Sequence, residues 1–172
     1  MKKIRVIGTS LILLAFIISI IFVVVSYTSS KGLPPPERVT LENVMDSQQV
    51  TIDFTERPTV FIFFTSWCPS CIEDAPKIMS MHEKYKDQVN IYGINVTNRD
   101  EKREVKKYVY KYAIKYPVLL DKEGDLYAQY GGKGLPSLYF LDGQGKIVKE
   151  IIGSSDIDII EQSFVNLIGV YD

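Results

Sequence analysis

The segment Thr59–Thr65 (TVFIFFT) constrains the fold of this chain most strongly, because it is almost continuously apolar, β-branched and aromatic. A strand with one solvated face alternates apolar and polar residues, whereas a strand covered on both faces lacks that alternation. The segment therefore predicts an inner strand of a sheet with further layers on both sides. A helix up to about Tyr85 is predicted next, from helical spacing of Ala75, Ile78, Met79 and His82. The expected fold class is α/β.

The rest of the chain after residue 37 predicts strands and helices in alternation. Further strands are predicted at Val50–Phe54, Val89–Val96, Val118–Leu120, Ser137–Leu141 and Lys146–Ile152. Further helices are predicted to begin at Asp100, Asp125 and Ser155–Asp156. The turn Asp142–Gly145 (DGQG) favours a hairpin between the last two strands. We therefore expect a mixed sheet, parallel through its helical crossovers and antiparallel at the final hairpin.

The N-terminal residues differ in composition from the rest. Residues 6–25 carry no charge and follow three basic residues, Lys2, Lys3 and Arg5. A helix of this length, at about 1.5 Å per residue, spans the roughly 30 Å of bilayer hydrocarbon. We predict a cytoplasmic basic segment at 1–5, an uncleaved single-pass anchor in the cell membrane at 6–26, a Pro-rich linker at 27–36 and a folded domain at 37–172. A cleaved signal peptide is the alternative. Both place the domain on the extracytoplasmic side, because the positive flank stays inside.

Composition excludes several classes of function. The formal net charge is −1, whereas a surface that binds nucleic acid needs a strong basic excess. A structural zinc site takes four Cys or His ligands, and the chain has two cysteines and one histidine. Two cysteines form at most one intrachain bridge, which excludes a scaffold of several disulfides. We expect no metal site and no nucleic-acid partner.

The two cysteines, Cys68 and Cys71, lie where the predicted inner strand gives way to a helix. Unpaired N–H groups at a helix N-terminus carry partial positive charge and stabilise an anion such as a thiolate. Cys71, three residues on, is close enough to close a small disulfide ring with Cys68. Thiol–disulfide exchange needs an attacking thiolate and a neighbour that resolves the mixed disulfide. A structural disulfide, half of a zinc site shared with a second chain, and two inert thiols are the alternatives to a redox pair.

The motif Trp67-Cys68-Pro69-Ser70-Cys71 resembles the active site of thioredoxin-fold proteins. Pro76 matches the helix-kinking proline of that fold, and Gly134–Ser137 (GLPS) resembles the loop that carries its cis-proline. An extra strand and helix between these motifs, together with the N-terminal anchor, make the chain similar to the membrane-anchored TlpA/ResA group. The resemblance covers about residues 37–170. It implies a thioredoxin-like three-layer sandwich with a central mixed sheet, in addition to the N-terminal transmembrane helix.

The resemblance also implies roles for individual residues. Cys68 would be the nucleophile and Cys71 the resolving thiol, and their redox-active disulfide would take the place of any cofactor. The residues expected to flank this pair are Trp67, Pro69 and Ser70. Pro136, in the cis form, would face the cysteines, and the backbone of Leu135 would pair with an extended substrate segment.

Two positions depart from the resemblance, and both concern the proton of Cys71. Thioredoxins carry a buried acid six residues before the first cysteine, where this chain has Ile62. ResA-type proteins carry a glutamate shortly after the strand that ends in Asn-Val, where this chain has Asn98. Glu73 and Asp74 are near in sequence, but we expect them on the solvated first turn of the helix. We therefore expect water to carry this proton, or Asn98 only to position it.

The sequence thus predicts a membrane-anchored, extracytoplasmic thiol–disulfide oxidoreductase that reduces disulfides through Cys68 and Cys71. The resemblance implies that its substrates are exported proteins with cysteine pairs, such as apocytochrome c in cytochrome c-type biogenesis or cell-envelope proteins. It also implies a membrane thiol carrier as electron donor. An oxidase that installs disulfides in exported proteins is one alternative. A thiol peroxidase is another, although Thr65, Ser66 and Pro69 do not reproduce the Thr and Arg pattern of such enzymes. A binding module without turnover is the third.

Overall fold

The computed structural model describes residues 16–21 and 38–171. Within residues 38–171, seven strands form one sheet. The strands are β1 (Val39–Asn43), β2 (Gln49–Ile52), β3 (Thr59–Phe64), β4 (Asn90–Val96), β5 (Val118–Asp121), β6 (Ser137–Leu141) and β7 (Ile147–Ile152). The α-helices of this range are α1 (Pro69–Tyr85), α2 (Lys102–Lys111), α3 (Asp125–Gln129) and α4 (Ile157–Tyr171). A 3₁₀ turn at Thr97–Arg99 precedes α2.

The sheet is mixed and has the strand order β2-β1-β5-β4-β3-β6-β7. β3 lies inside the sheet, parallel to β4 and antiparallel to β6. β4 continues parallel to β5, β1 pairs antiparallel with β5, and β7 pairs antiparallel with β6. These pairings confirm the predicted parallel crossovers and the antiparallel final hairpin.

Both faces of β3 are covered, as its continuous apolar sequence predicts, and every residue of the strand is buried. Val60, Ile62 and Phe64 belong to the core that α1, α2 and α4 build on one face of the sheet. Phe61 and Phe63 belong to the core on the other face, which includes side chains of α3 and of the first two strands. Helices on both faces of a mixed sheet make the predicted three-layer sandwich.

The structure adds one strand to the prediction and moves several boundaries by one or two residues. The missing strand is β1, an alternating segment just after the Pro-rich stretch, which pairs with β2 on one side and β5 on the other. β2 ends at Ile52, two residues earlier than predicted, because the carboxylate of Asp53 accepts the N–H of Thr55 at 2.8 Å in a turn. α2 begins at Lys102 rather than Asp100, since Asp100 ends the 3₁₀ turn.

The N-terminal part of the chain is described only at residues 16–21, which are helical. The apolar side chains of this segment are each more than half exposed. In the described residues, no helix combines the length and the apolar character that crossing a membrane requires. The basic segment at 1–5, the linker at 27–36 and most of the anchor at 6–26 lie outside the described residues. The transmembrane helix and the domain boundaries therefore stay predictions.

Candidate active site

Cys68 and Cys71 lie at the junction of β3 and α1, as the sequence predicts. Cys68 is the N-cap residue of α1, with extended backbone angles of φ −72° and ψ 119°. Its sulfur accepts a hydrogen bond from the backbone N–H of Cys71, with an N–S distance of 3.4 Å. Both are unbonded thiols in this structure, and Cys68 is the more exposed of the two, at 7% against 3%. The structure thus brings the predicted nucleophile and its resolving partner into contact.

The local sequence fixes the start of α1 at this point. Pro69 occupies the first helical position, where its missing N–H costs nothing because that N–H would have no partner within the helix. The N–H of Ile72 closes the first turn onto the carbonyl of Cys68 at 3.0 Å. Ser70 is half-buried on the same turn, and neither Pro69 nor Ser70 places a charge between the cysteines. Cys68 therefore lies at the positive end of the α1 dipole.

The loop before β6 closes another side of the Cys68 sulfur. The peptide bond between Leu135 and Pro136 is cis, as predicted. The Sγ atom of Cys68 lies 3.7 Å from the carbonyl oxygen of Leu135. Pro136 is buried and Leu135 is half-buried. The structure therefore brings Leu135 and Pro136 to the cysteine pair, while a role in holding substrate stays a prediction.

Trp67 flanks the cysteines and is 61% exposed. Its indole N–H donates to the carbonyl of Arg99 at 2.7 Å, which holds the ring against the turn between β4 and α2. A groove of about 630 Å³ runs beside the ring, with Ile72 and Tyr112 among its lining residues. An exposed aromatic ring next to the nucleophile provides a surface on which a polypeptide can pack.

Asp100 is a site residue that the sequence does not single out. Its carboxylate accepts hydrogen bonds from the backbone N–H and the hydroxyl of Ser66, at 2.5 and 2.7 Å. The same carboxylate accepts from the side-chain amide of Asn95 and from the N–H of Glu101, both at 2.8 Å. These bonds tie the residues just before Cys68 to the turn after β4. An aspartate before a helix equally predicts an ordinary cap, so the sequence holds no separate signal for this role.

The expectation that Glu73 and Asp74 both lie on a solvated turn of α1 is wrong for Asp74. Only 2% of Asp74 is exposed, whereas the side chain of Glu73 is 68% exposed. The Oδ1 atom of Asp74 accepts hydrogen bonds from the Ser154 hydroxyl at 2.5 Å and from Lys77 Nζ at 2.8 Å. The Oδ2 atom is buried and has no hydrogen-bond partner among the described residues. The site therefore contains a buried carboxylate with one oxygen free to accept a proton.

Helical spacing supplies a signal that finds Asp74. The buried residues of α1 are Cys71, Asp74, Ala75, Ile78, Met81 and Tyr85. The predicted stripe instead ran through Met79 and His82, which are only half-buried. A stripe drawn from Cys71 at the same spacing includes Asp74, because residues three or four apart share a face.

A small cavity borders both Cys71 and Asp74. Its volume of about 10 Å³ is close to the minimum that holds one water molecule. The other lining residues are Ile62, Phe64, Ala75, Ile78, Tyr108, Tyr116 and Pro136. Burial raises the pKa of the Cys71 thiol well above its ordinary value, so this thiol keeps its proton until a base removes it. Asp74 borders the same cavity, so it can accept that proton through one water.

The two departures from the resemblance have different outcomes. Ile62 lines the cavity beneath Cys71 with an apolar side chain, as its position predicts. Asn98 lies instead beside Trp67, and its amide donates to the carbonyl of Glu123 at 2.7 Å. The alternative that Asn98 positions the Cys71 proton is therefore wrong, because Asn98 is not among the described residues that line that cavity.

Comparisons with known proteins place these features in a family. Residues 36–150 match the AhpC/TSA family. The sporulation thiol-disulfide oxidoreductase A of Bacillus subtilis (strain 168) is 26% identical over 122 residues, which are 70% of this chain and 74% of that protein. The thiol-disulfide oxidoreductase ResA of Bacillus thuringiensis subsp. konkukian (strain 97-27) is 27% identical over 111 residues. These are 64% of this chain and 63% of ResA, so the chain spans less than two thirds of that relative.

A solved structure gives the same picture of the fold. The thiol:disulfide interchange protein of the thioredoxin family from Chlorobium tepidum TLS superposes with a TM-score of 0.69 at 20% identity. The superposition covers 81% of this chain and 99% of that one. At this identity the likeness concerns the fold alone, which is the thioredoxin-like α/β fold with a central mixed sheet.

Proposed function

This chain belongs to the AhpC/TSA family and is a thioredoxin-like thiol–disulfide oxidoreductase of the TlpA/ResA type, and on that premise we propose that it reduces disulfides of exported proteins. The observation that carries the proposal is the position of Cys68, which caps α1 with its sulfur against the Cys71 N–H and the Leu135 carbonyl. A nucleophilic sulfur, a resolving thiol and the backbone of the cis-proline loop meet there.

In the first step, the Cys68 thiolate attacks one sulfur of a substrate disulfide. The substrate S–S bond breaks, a mixed disulfide forms with Cys68, and one substrate thiolate leaves. The backbone of Leu135 and the exposed face of Trp67 hold the substrate segment that carries this disulfide. Partial positive charge at the α1 N-terminus stabilises the attacking sulfur before the reaction.

In the second step, Cys71 resolves the mixed disulfide. Its proton passes to Asp74 through a water in the cavity that both residues border, and then to solvent. The Cys71 thiolate attacks the sulfur of Cys68, and the substrate leaves as its second thiolate, which takes a proton from water. Two electrons have moved to the substrate, and Cys68 and Cys71 are joined in a disulfide. A membrane thiol carrier must return two electrons before the next cycle.

The surroundings of Cys68 support reduction rather than oxidation of substrates. Strongly oxidising relatives of thioredoxin owe their high potential to a stabilised reduced form. Here the described residues offer the Cys68 sulfur one N–H donor, that of Cys71, at the long distance of 3.4 Å. Pro69 and Ser70 add no positive charge. Beyond the helix N-terminus, the reduced form gains only this one long contact, so we expect a lower reduction potential than that of a strong oxidant.

The location and the substrates follow from the N-terminal pattern and the family. The uncharged run at 6–25, after a basic flank, supports a single-pass anchor with the catalytic domain on the extracytoplasmic side. Substrates on that side are exported proteins with cysteine pairs, and apocytochrome c or cell-envelope proteins fit this description. The disulfide-forming oxidase is the alternative that the same site permits, and the reduction potential separates the two.

The test uses the full-length reduced protein and dithiobisnitrobenzoate, an aromatic disulfide that releases a coloured thiolate. The wild type should release two thiolates per protein, the first from attack by Cys68 and the second from resolution by Cys71. Cys71→Ser should stop after the first, and Cys68→Ser should release none in the fast phase. Equal release by Cys68→Ser and the wild type would contradict the proposal. Hydrogen peroxide consumed faster than the disulfide would indicate a peroxidase instead.

A further inference from the structure

We propose that Lys77 and the Gly153–Ser155 loop, which joins β7 to α4, form a positioning clamp that holds one oxygen of the Asp74 carboxylate and leaves the other free beside the Cys71 cavity. The inference rests on the proposed function, because it concerns the proton that Cys71 loses as it resolves the mixed disulfide. Lys77 and the loop are positioning residues: they act on the reaction through their hydrogen bonds to Asp74.

The ammonium group of Lys77 is fixed in place by several acceptors. Its Nζ atom lies 2.8 Å from Asp74 Oδ1, 3.0 Å from the Ser155 carbonyl and 3.4 Å from the Ser154 hydroxyl. The fourth acceptor, at 3.3 Å, is the carboxylate of Glu73, which is largely in solvent. The side chain of Lys77 is only 22% exposed, so its charge acts on the buried carboxylate with little screening.

The Gly153–Ser155 loop holds Asp74 and the cis-proline segment together. The Ser154 hydroxyl donates to Asp74 Oδ1 at 2.5 Å. One residue earlier, the N–H of Gly153 donates to the carbonyl of Pro136 at 2.7 Å. Gly153 has a φ of +86°, a conformation that side chains disfavour. Neighbouring residues of one loop therefore set the position of the carboxylate relative to the segment that faces substrate.

A buried carboxylate takes up a proton unless an opposite charge and hydrogen bonds favour the ion. Lys77 supplies the charge, and no second cation lies within ion-pair distance of Asp74 among the described residues. The hydrogen bond to Asp74 raises the pKa of Lys77, so its ammonium persists at neutral pH. The other titratable groups around Asp74 are Cys71 and Glu73 on α1, Tyr108 on α2 and Tyr116 before β5. Burial raises the pKa of both phenols, so they stay uncharged.

This arrangement divides the two oxygens of Asp74 between two tasks. Oδ1 is occupied by Lys77 and Ser154, while Oδ2 is left without a partner among the described residues. Oδ2 is therefore the atom that receives the proton from Cys71. Without the ammonium, Oδ1 would lose its charged partner, and we expect the second step to need a higher pH.

The experiment follows both thiolate releases from dithiobisnitrobenzoate across a pH series, with the full-length reduced protein. The first release reports Cys68, and the second reports the loss of the Cys71 proton. The variants are Lys77→Met, Ser154→Ala and Lys77→Arg, which restores a cation. Lys86→Met is the matched control, because Lys86 lies just after α1 and pairs with exposed Glu83 at 3.3 Å.

The pH at which the second release is half-maximal should rise by about 1–3 units in Lys77→Met, since an opposite charge at this distance has an effect of that size. Ser154→Ala should shift it in the same direction by less than about 1 unit, the equivalent of one hydrogen bond. Lys77→Arg and Lys86→Met should keep the wild-type midpoint. The first release should stay within about twofold of the wild type throughout, because none of these residues contacts Cys68.

An unchanged midpoint in Lys77→Met would overturn the clamp, and so would a failure of Lys77→Arg to restore the midpoint. If Lys77→Met does not fold, the other two variants decide. A midpoint that does not rise in Ser154→Ala, or one that departs from the wild type in Lys77→Arg, would overturn the clamp. Failure of the proposed function itself gives a different result. In that case the wild type releases no second thiolate, whatever residue stands at position 77.

Discussion

The carboxylate of Asp100 holds Ser66 by both its backbone N–H and its hydroxyl, two residues before the Cys68 nucleophile. Hydrogen bonds to an ionised acceptor are roughly twice as strong as those between neutral groups. The turn after β4 thereby fixes the loop that carries Cys68, although the two segments are far apart in sequence. The position of the nucleophile depends on this contact, and a substitution at Asp100 tests that dependence.

Asp100→Ala should lower the free energy of unfolding by about 2–3 kcal/mol, because it removes the acceptor of the Ser66 N–H and the nearer of two acceptors of the Asn95 amide. Urea unfolding followed by the fluorescence of Trp67, the single tryptophan, measures the change. Asp46→Ala is the control, since Asp46 accepts one N–H in an exposed turn. An equal decrease in the free energy of unfolding in both variants would show that the Asp100 contacts stabilise the fold no more than the exposed Asp46 turn does.

Asp74→Asn should slow the second thiolate release by about a hundredfold or more, the usual contribution of a positioned general base. The first release should be unaffected, since Asp74 borders the Cys71 cavity and does not contact Cys68. Glu73→Gln, at the neighbouring but exposed position, is the matched control and should behave as the wild type. Stopped-flow absorbance separates the two phases. A second phase of wild-type rate in Asp74→Asn would remove Asp74 from the mechanism.

How much of this site can be predicted from the sequence depends on the range of the contacts involved. The inner strand and the cysteine pair follow from local patterns, since an unbroken apolar run and a helix start are properties of neighbouring residues. Pro136 follows from resemblance. The burial of Asp74 follows from helical spacing, but the roles of Asp74 and Asp100 depend on partners far along the chain, Ser154 and Ser66. The local sequence around a carboxylate does not indicate whether the fold will bring such a partner within hydrogen-bond distance.

Phe164→Ala should lower the free energy of unfolding by about 3–5 kcal/mol, because its ring is fully buried between α4 and the sheet. The ring stacks on Tyr85 and meets Phe140 edge-on, each at a centroid distance of 5.4 Å. Val165→Ala, at the adjacent exposed position, should change stability by about 0.5 kcal/mol or less. Urea unfolding of both variants gives the comparison, and a loss below about 1 kcal/mol in Phe164→Ala would contradict the described packing of α4.

Glu42→Gln should flatten the acid limb of the thermal stability curve. Hydrogen bonds from Lys102 and Lys122 lower the pKa of the Glu42 carboxyl from 4.5 to about 2. A carboxyl whose pKa is lowered by folding stabilises the protein at any pH above the pKa that it has in the unfolded chain. That contribution is lost as the pH falls to the pKa of the folded state. The Tm difference between wild type and Glu42→Gln should therefore shrink from pH 4.5 to about 2. Circular dichroism measures both curves, and parallel curves over this range would contradict the pairing.

The most direct test of the central claim is the reduction potential of the Cys68–Cys71 couple in the full-length protein, measured by equilibration with glutathione buffers. A reductase of disulfides in exported proteins should have a potential near or below about −250 mV, in the range of thioredoxin. A potential near about −120 mV, in the range of DsbA, would contradict it and make the protein an oxidase.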